Sequence, residues 1–277
     1  MSDIPAVLLN NGVTMPQLGF GVFLVPADEV VEPVRVALET GYRLIDTAKL
    51  YGNEEGVGRA IAASGIPRDE IFVTTKVWNT EQGYDSTLRA FDDSVKRLGL
   101  DQLDLYLIHW PMPAQDRYVD TWRALERLYA DGRVRAIGVS NFAETHLERL
   151  LAETGTAPAV DQVELHPGFT QDSLREFNRA HGIVTESWSP LGRGQGLLDS
   201  PVVEAIAAAH DRTPGQVVLR WHLQLGLVVI PKSVRPARIR ENFAVFDFDL
   251  DDSEMSALSA LDQPGRIGPD PDAFNDG

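Results

Sequence analysis

Residues 103–109 read LDLYLIH, an apolar run that ends on a histidine. Before it, Leu88, Phe91, Val95 and Leu98 fall at helical spacing on one face, and Gly99 follows as a stop. After it, Trp122, Leu125 and Leu128 repeat that spacing ahead of Gly132. Helix, strand and helix in succession are the building unit of a parallel sheet with its helices outside.

The unit recurs in both directions. Apolar runs at 17–23 (QLGFGVF), 42–47 (YRLIDT), 71–76 (IFVTTK), 134–141 (VRAIGVSN), 160–166 (VDQVELH), 184–188 (VTESW) and 227–232 (LVVIPK) alternate with amphipathic stretches. With 103–109 they make eight strand candidates. Eight such units in about 250 residues, with nothing left for another domain, predict an α/β fold of the (β/α)8 TIM barrel type. An open doubly wound sheet needs a glycine fingerprint after its first strand. The dense glycine cluster here, GRGQG at 192–196, follows the seventh. The Asn-Gly pair within VLLNNGVTM (7–15) predicts an N-terminal β-hairpin ahead of the barrel. Ser200 and Pro201 read as N-cap and first helical residue, and Thr213 to Gln216 as a capping box. No linker or low-complexity tract divides the chain, so residues 1–277 read as a single barrel domain.

Composition narrows the function. The charge is 25 − 41 = −16, and an acidic surface of that size repels phosphate backbones, which argues against nucleic acid. There is no cysteine, hence no disulfide, thiolate nucleophile or cysteine metal site. MSDIPAVLLN lacks the features of a signal peptide, and no run approaches the roughly 20 apolar residues that span a bilayer. A cytoplasmic protein with no membrane partner is the expectation.

In barrels of this kind the chemistry lies at the C-terminal ends of the strands. Here those ends carry Asp46, Lys76, His109, Ser140 with Asn141, Gln162, Trp188 and Lys232. Ser140 and Asn141 also read as helix caps, but Lys76 and His109 make poor ones. Strands two, three and four lie about 4.8 Å apart, so Asp46, Lys76 and His109 can converge over one corner of the barrel mouth. Tyr51, in LIDTAKLYGNEE (44–55), can bend back over that corner, ahead of an apparent helix start at Asn53-Glu54. An ammonium beside a phenol stabilises phenolate and lowers its pKa from near 10 towards neutrality. A carboxylate keeps the lysine charged, and a neutral imidazole can hydrogen-bond a carbonyl oxygen. The four form a proton donor to a carbonyl.

Protonating a carbonyl oxygen is half of a reduction. The other half is a hydride, which no side chain supplies, so a nicotinamide is expected. Trp188 offers a flat face to its ring, and Ser140, Asn141 and Gln162 can bond its carboxamide. IPKSVRPARIREN (230–242) packs Lys232, Arg235, Arg238 and Arg240 into nine residues after the eighth strand, where barrel phosphate sites form at a helix N-terminus. A basic cluster suits the 2′-phosphate of NADPH, with Arg240 on the solvated helix face.

DTAKLYGNE, TTKVWN, LDLYLIHWP, GVSNF, VDQVELHP, ESWSPLG and IPKSVRPARIREN, in that order, resemble the aldo-keto reductase family, and within it the bacterial 2,5-diketo-D-gluconate reductase type. The resemblance implies that Tyr51 is the general acid, tuned by Lys76 and Asp46, with His109 orienting the carbonyl. It implies NADPH held by Trp188 on its ring, by Ser140, Asn141 and Gln162 on its amide, and by Ser189 and Leu191 along the pyrophosphate. Lys232, Ser233 and Arg238 would hold the 2′-phosphate, and Glu241 and Asn242 the adenine. Phe23, Trp78 and Trp110, with His109, would wall the substrate pocket, so part of a carbonyl substrate should be apolar or sugar-like. The family also suggests a monomer.

Lys49, two residues before Tyr51, reads as an exposed snorkelling lysine, or as an attractor of a substrate carboxylate. The other histidines lack metal-ligand spacing, so no metal is expected, and His166 in ELHPG reads as structural. Two rival functions stay open at this level: a lyase forming a Schiff base on Lys76, and a non-catalytic NADPH-binding subunit.

Overall fold

The computed structural model describes residues 4–263 and 265–276. Strands β1 (Ala6–Leu8) and β2 (Thr14–Pro16) form the antiparallel hairpin, Val7 opposite Met15. Its turn closes through Gly12 at φ +85°, a conformation glycine adopts without strain. Asn10 donates to the Pro158 carbonyl and Asn11 to the Arg135 carbonyl, both at 2.9 Å, near the N-terminal ends of later strands. Leu9 and Met15 are thereby buried against Leu44, Phe72 and Leu105 inside the barrel. The hairpin plugs the bottom and leaves the other end for chemistry.

The barrel strands are β3 (Phe20–Gly21), β4 (Leu44–Asp46), β5 (Phe72–Val77), β6 (Leu103–Ile108), β7 (Val134–Ser140), β8 (Val160–Glu164), β9 (Val184–Trp188) and β10 (Val228–Val229). They pair in parallel in sequence order, as the rhythm of the sequence predicts. The ring closes between first and last: Val229 donates to the Gln17 carbonyl, Gly19 to that of Val229, and Gly21 to that of Pro231. The regular part of these two strands is shorter than the apolar runs that predict them. Pro231 has no N–H for a ladder, and the seam is made by scattered bonds. Gly19 is required there, because a Cβ would sit 2.6 Å from the Leu44 side chain.

Strand period decides what faces inward. In β6, Leu105 and Leu107 lie in the interior cluster while Tyr106 and Ile108 pack under the helices, so His109 continues the inward set. The same count turns Asp46, Lys76, Ser140, Gln162, Glu186 and Trp188 inward. Helices behave mostly as read. Gly99 ends Tyr84–Leu98 at φ +66°, and Thr213 and Gln216 exchange their capping bonds. Ser200 sits at the N-cap of Pro201–His210, yet its side chain caps nothing; its carbonyl accepts Glu204 N instead.

Candidate active site

Tyr51 is placed by a short chain of local constraints. After Asp46, Lys49–Tyr51 makes one 3-10 turn, ended by Gly52 at φ +66°. Asn53 then occupies the N-cap of Glu54–Ala63, but its side chain bonds elsewhere. It donates to the carbonyls of Val22 and Val25, both at 3.0 Å, and accepts from the Thr47 hydroxyl at 2.8 Å. That amide ties the loop after β4 to the loop after β3. The phenol is thus held over the barrel mouth, its ring 5.0 Å from Phe23 and 5.8 Å from His109.

Beneath it Lys76 is fully buried. Its ammonium donates to both Asp46 carboxylate oxygens, at 2.8 and 2.7 Å, and to the Thr47 carbonyl at 2.9 Å. Burial disfavours the ammonium most, but Asp46, Tyr51 and Glu186 together outweigh it and the pKa lies above its ordinary value. A Schiff-base lyase needs a neutral, accessible amine; Lys76 is neither, which removes that rival. The Lys76 nitrogen is 5.3 Å from the Tyr51 ring centroid. Its charge lowers the phenol, yet burial and the Asp46 charge prevail, and Tyr51 is pushed up to about 12. This reverses the downward tuning expected from the sequence, because enclosure of the phenol outweighs one cation already neutralised by Asp46.

His109 is buried and held well below its ordinary pKa, first by burial and then by the Lys76 charge. It is the neutral imidazole the sequence predicts. Its ring packs edge-on to Trp78 at 5.1 Å, and its carbonyl accepts Asn141 Nδ2 at 2.9 Å. Asn141 takes the left-handed backbone conformation (φ +63°), which asparagine tolerates. It also donates to Ser140 Oγ and accepts Trp188 Nε1 at 2.9 Å.

Gln162 lies between two acids. Its amide nitrogen donates to Asp46 Oδ2 at 2.9 Å and to Glu186 Oε2 at 2.8 Å. Burial, then the Asp46 charge, pushes Glu186 up to about 8. Glu186 is absent from the residues singled out in the sequence. The signal was there: an acid two residues before Trp188 in a five-residue strand must share the inward face with it.

These groups border a cavity of about 650 Å³. Tyr51, His109, Asn141, Gln162 and Trp188 lie on its floor, with Phe23, Trp78 and Trp110 on its walls. Ser189 and Leu191 continue it towards Lys232. Lys76 supports the floor from below. Ser233, Arg238, Glu241 and Asn242 fall outside this cavity; the last three lie on the neighbouring helix Pro236–Phe243. Lys232, Arg235, Arg238 and Arg240 are exposed, and none forms an ion pair among the described residues. Glu241 accepts the Thr213 hydroxyl, Ser233 Oγ accepts Arg235 N, and Asn242 is buried.

The C-terminal tail supplies further walls, through Pro269 and Phe274. Phe274 packs at a tilt against Trp110, ring centres 4.5 Å apart. The tail is anchored by buried Glu164, which accepts Ile267 N at 2.6 Å and Gly268 N at 2.7 Å. His166 lies 3.3 Å from the same carboxylate, in keeping with a structural role. Arg193, also unforeseen, bonds Ser189 Oγ and lies over the rings of Trp188 and Phe23 at the mouth. Lys49 is paired with Glu81 at 2.8 Å and does not border the cavity. Among the described residues no group of His, Asp and Glu gathers as metal ligands, and no helix is long and apolar enough to cross a membrane.

The sequence model of the aldo/keto reductase family matches residues 17–263. Glyoxal reductase of Bacillus subtilis is 54% identical over 96% of each chain, and methylglyoxal reductase DkgA of Salmonella typhimurium 50% over 99% of each. The crystal structure of a Gox0644 mutant in complex with NADPH superposes with a TM-score of 0.95, at 53% identity over 99% of both chains.

Proposed function

From the premise that this chain belongs to the aldo/keto reductase family, we propose that it is an NADPH-dependent reductase of small aldehydes, ketones and keto-sugars. The observation that carries this reading is the buried Asp46–Lys76 pair beneath Tyr51, with neutral His109 beside the phenol. The names of the relatives, glyoxal and methylglyoxal reductase, favour 1,2-dicarbonyls among the substrates.

The residues present suit the cofactor. Trp188 gives an aromatic face, Gln162 presents an amide, and Lys232 and Arg238 offer uncompensated positive charge to a phosphate. Ser189 and Leu191 suit the pyrophosphate, Ser233 the 2′-phosphate, and Glu241 and Asn242 the adenine. NADPH supplies the hydride. His109 donates a hydrogen bond to the carbonyl oxygen and orients it. Tyr51 gives its phenolic proton to that oxygen as the carbon is reduced, and the phenolate left behind is balanced by the Lys76 ammonium. Solvent then restores the proton. Phe23, Trp78 and Trp110 exclude water and favour apolar or sugar-like groups. The reading takes the enzyme to be a cytoplasmic monomer.

Loss of NADPH absorbance on adding methylglyoxal or another aldehyde tests the proposal. Binding of NADPH without turnover on any aldehyde, ketose or dicarbonyl would leave only a nucleotide-binding subunit.

A further inference from the structure

Proton donation and carbonyl orientation leave Glu186 without a task. It is fully buried in β9, directly opposite Gln162 in the β8–β9 register. A primary amide has two N–H groups, and both of those on Gln162 are taken, one by Asp46 and one by Glu186. The amide cannot turn over, because its carbonyl would then face the Asp46 carboxylate with no proton between them. Gln162 therefore presents the cavity with an acceptor alone, its Oε1. Protonation of Glu186 does not change this, since a carboxylic acid keeps an acceptor oxygen.

We propose that Glu186 is a positioning residue for the cofactor: by accepting the second amide proton of Gln162, it fixes Gln162 Oε1 as the acceptor for the carboxamide N–H of the nicotinamide. This rests on the NADPH reading above. Without Glu186 the amide is held by its bond to Asp46 alone, and Gln162 can pivot about that bond and swing Oε1 out of line with the carboxamide.

The test compares NADPH with reduced 3-acetylpyridine adenine dinucleotide phosphate, in which an acetyl group replaces the carboxamide and no N–H remains. Dissociation constants come from quenching of protein fluorescence. Wild type should bind NADPH about tenfold more tightly than the analogue, the worth of one well-made hydrogen bond. Glu186→Met, which fills the space without an acceptor, should bind the two alike, with its affinity for the analogue unchanged. Glu186→Gln, which keeps an acceptor oxygen, should retain the preference. Gln162→Ala should lose it, so the idea can be checked even if the methionine variant does not fold. A preference kept by Glu186→Met or by Gln162→Ala overturns the inference, as does an equal loss for both nucleotides in Glu186→Met. A wild type that binds NADPH without preferring it also overturns the inference, whereas no binding of NADPH at all overturns the cofactor reading beneath it.

Discussion

The Lys76 ammonium lies 5.3 Å from the centre of the Tyr51 ring, and still the phenol sits near 12. The two statements are compatible because Asp46 holds the ammonium at 2.7 Å and cancels much of its field. Lys76 thus serves less to acidify the resting phenol than to receive the phenolate once the proton has gone. A donor must arrive protonated, and a phenol titrating near 12 is protonated throughout the neutral range.

Tyr51→Phe should bind NADPH as wild type does and lose about 10²–10⁴ of its turnover. The pH profile carries a sign. Reduction uses the protonated phenol, so Tyr51 should impose no alkaline loss on kcat/KM up to about pH 10. Alcohol oxidation uses the phenolate and should rise about tenfold per pH unit over the same range. Stopped-flow rates in both directions check this, and a reduction rate that falls above pH 8 in parallel with Tyr51 ionisation would contradict it.

What was legible in the sequence follows from period and position. Apolar runs ending in polar groups fixed both the strands and the inward set, because each strand end must point one way or the other into the barrel. Asp46, Lys76 and His109 are legible in this manner. What escaped depended on contacts between distant segments. The tail reaches Glu164 across about a hundred residues, so Phe274 has no local signature as a wall. The balance between burial and charge at Tyr51 depends on enclosure by several loops, which a list of neighbouring residue types does not contain. Glu186 stood in plain view, but acids within strands are easily taken for solvent-facing ones.

Lys232→Ala and Arg238→Ala should each raise the dissociation constant for NADPH about tenfold or more while changing that for NADH little. Both side chains are exposed and without ion-pair partners among the described residues, so their removal leaves no orphaned carboxylate and little loss of stability. Equal weakening of both nucleotides would place the 2′-phosphate elsewhere.

Lys49→Ala should leave the ratio of KM values for a keto acid and a neutral aldehyde unchanged. Its charge is already compensated by Glu81, and the pair stands beside the cavity rather than on its border. The pair is about a quarter to a third exposed, so its loss should cost no more than about 1 kcal/mol. A selective rise in the keto-acid KM would restore Lys49 as a specificity residue.

Glu164→Gln should loosen the tail. A neutral amide can accept one of the two backbone N–H bonds but not both as strongly, and its own N–H₂ then faces Ile267 or Gly268. Because Phe274 borders the carbonyl end of the cavity, KM for the carbonyl should rise about three- to tenfold, with the NADPH dissociation constant unchanged. Burial raises the Glu164 pKa, but the bonds from His166, Ile267 and Gly268 bring it below the usual carboxylate value. The anchor is therefore present above about pH 4 and lost as pH falls through the lowered value.

Two buried groups away from the site should shape stability against pH in opposite directions. Burial pushes Asp161 up to about 8, against about 3.9 in an unfolded chain. Between those values the folded protein holds a proton that the unfolded chain has lost, so stability falls as pH rises from about 4 to about 8. Asp161→Asn keeps an acceptor for Asn178 and removes the titration, so its Tm should gain on wild type across that window and level off above it. His222 is fully buried, neither ring nitrogen has a partner among the described residues, and burial lowers it to about 3. Here the unfolded chain gains the proton first, so stability falls as pH drops from about 6.5 towards 3. His222→Leu should therefore be closest to wild type near neutrality and gain on it at about pH 5, by about 2–4 °C for each kcal/mol recovered. Calorimetric scans of both variants across the range decide the matter: a Tm difference from wild type that does not move with pH would mean that neither group changes its protonation on unfolding.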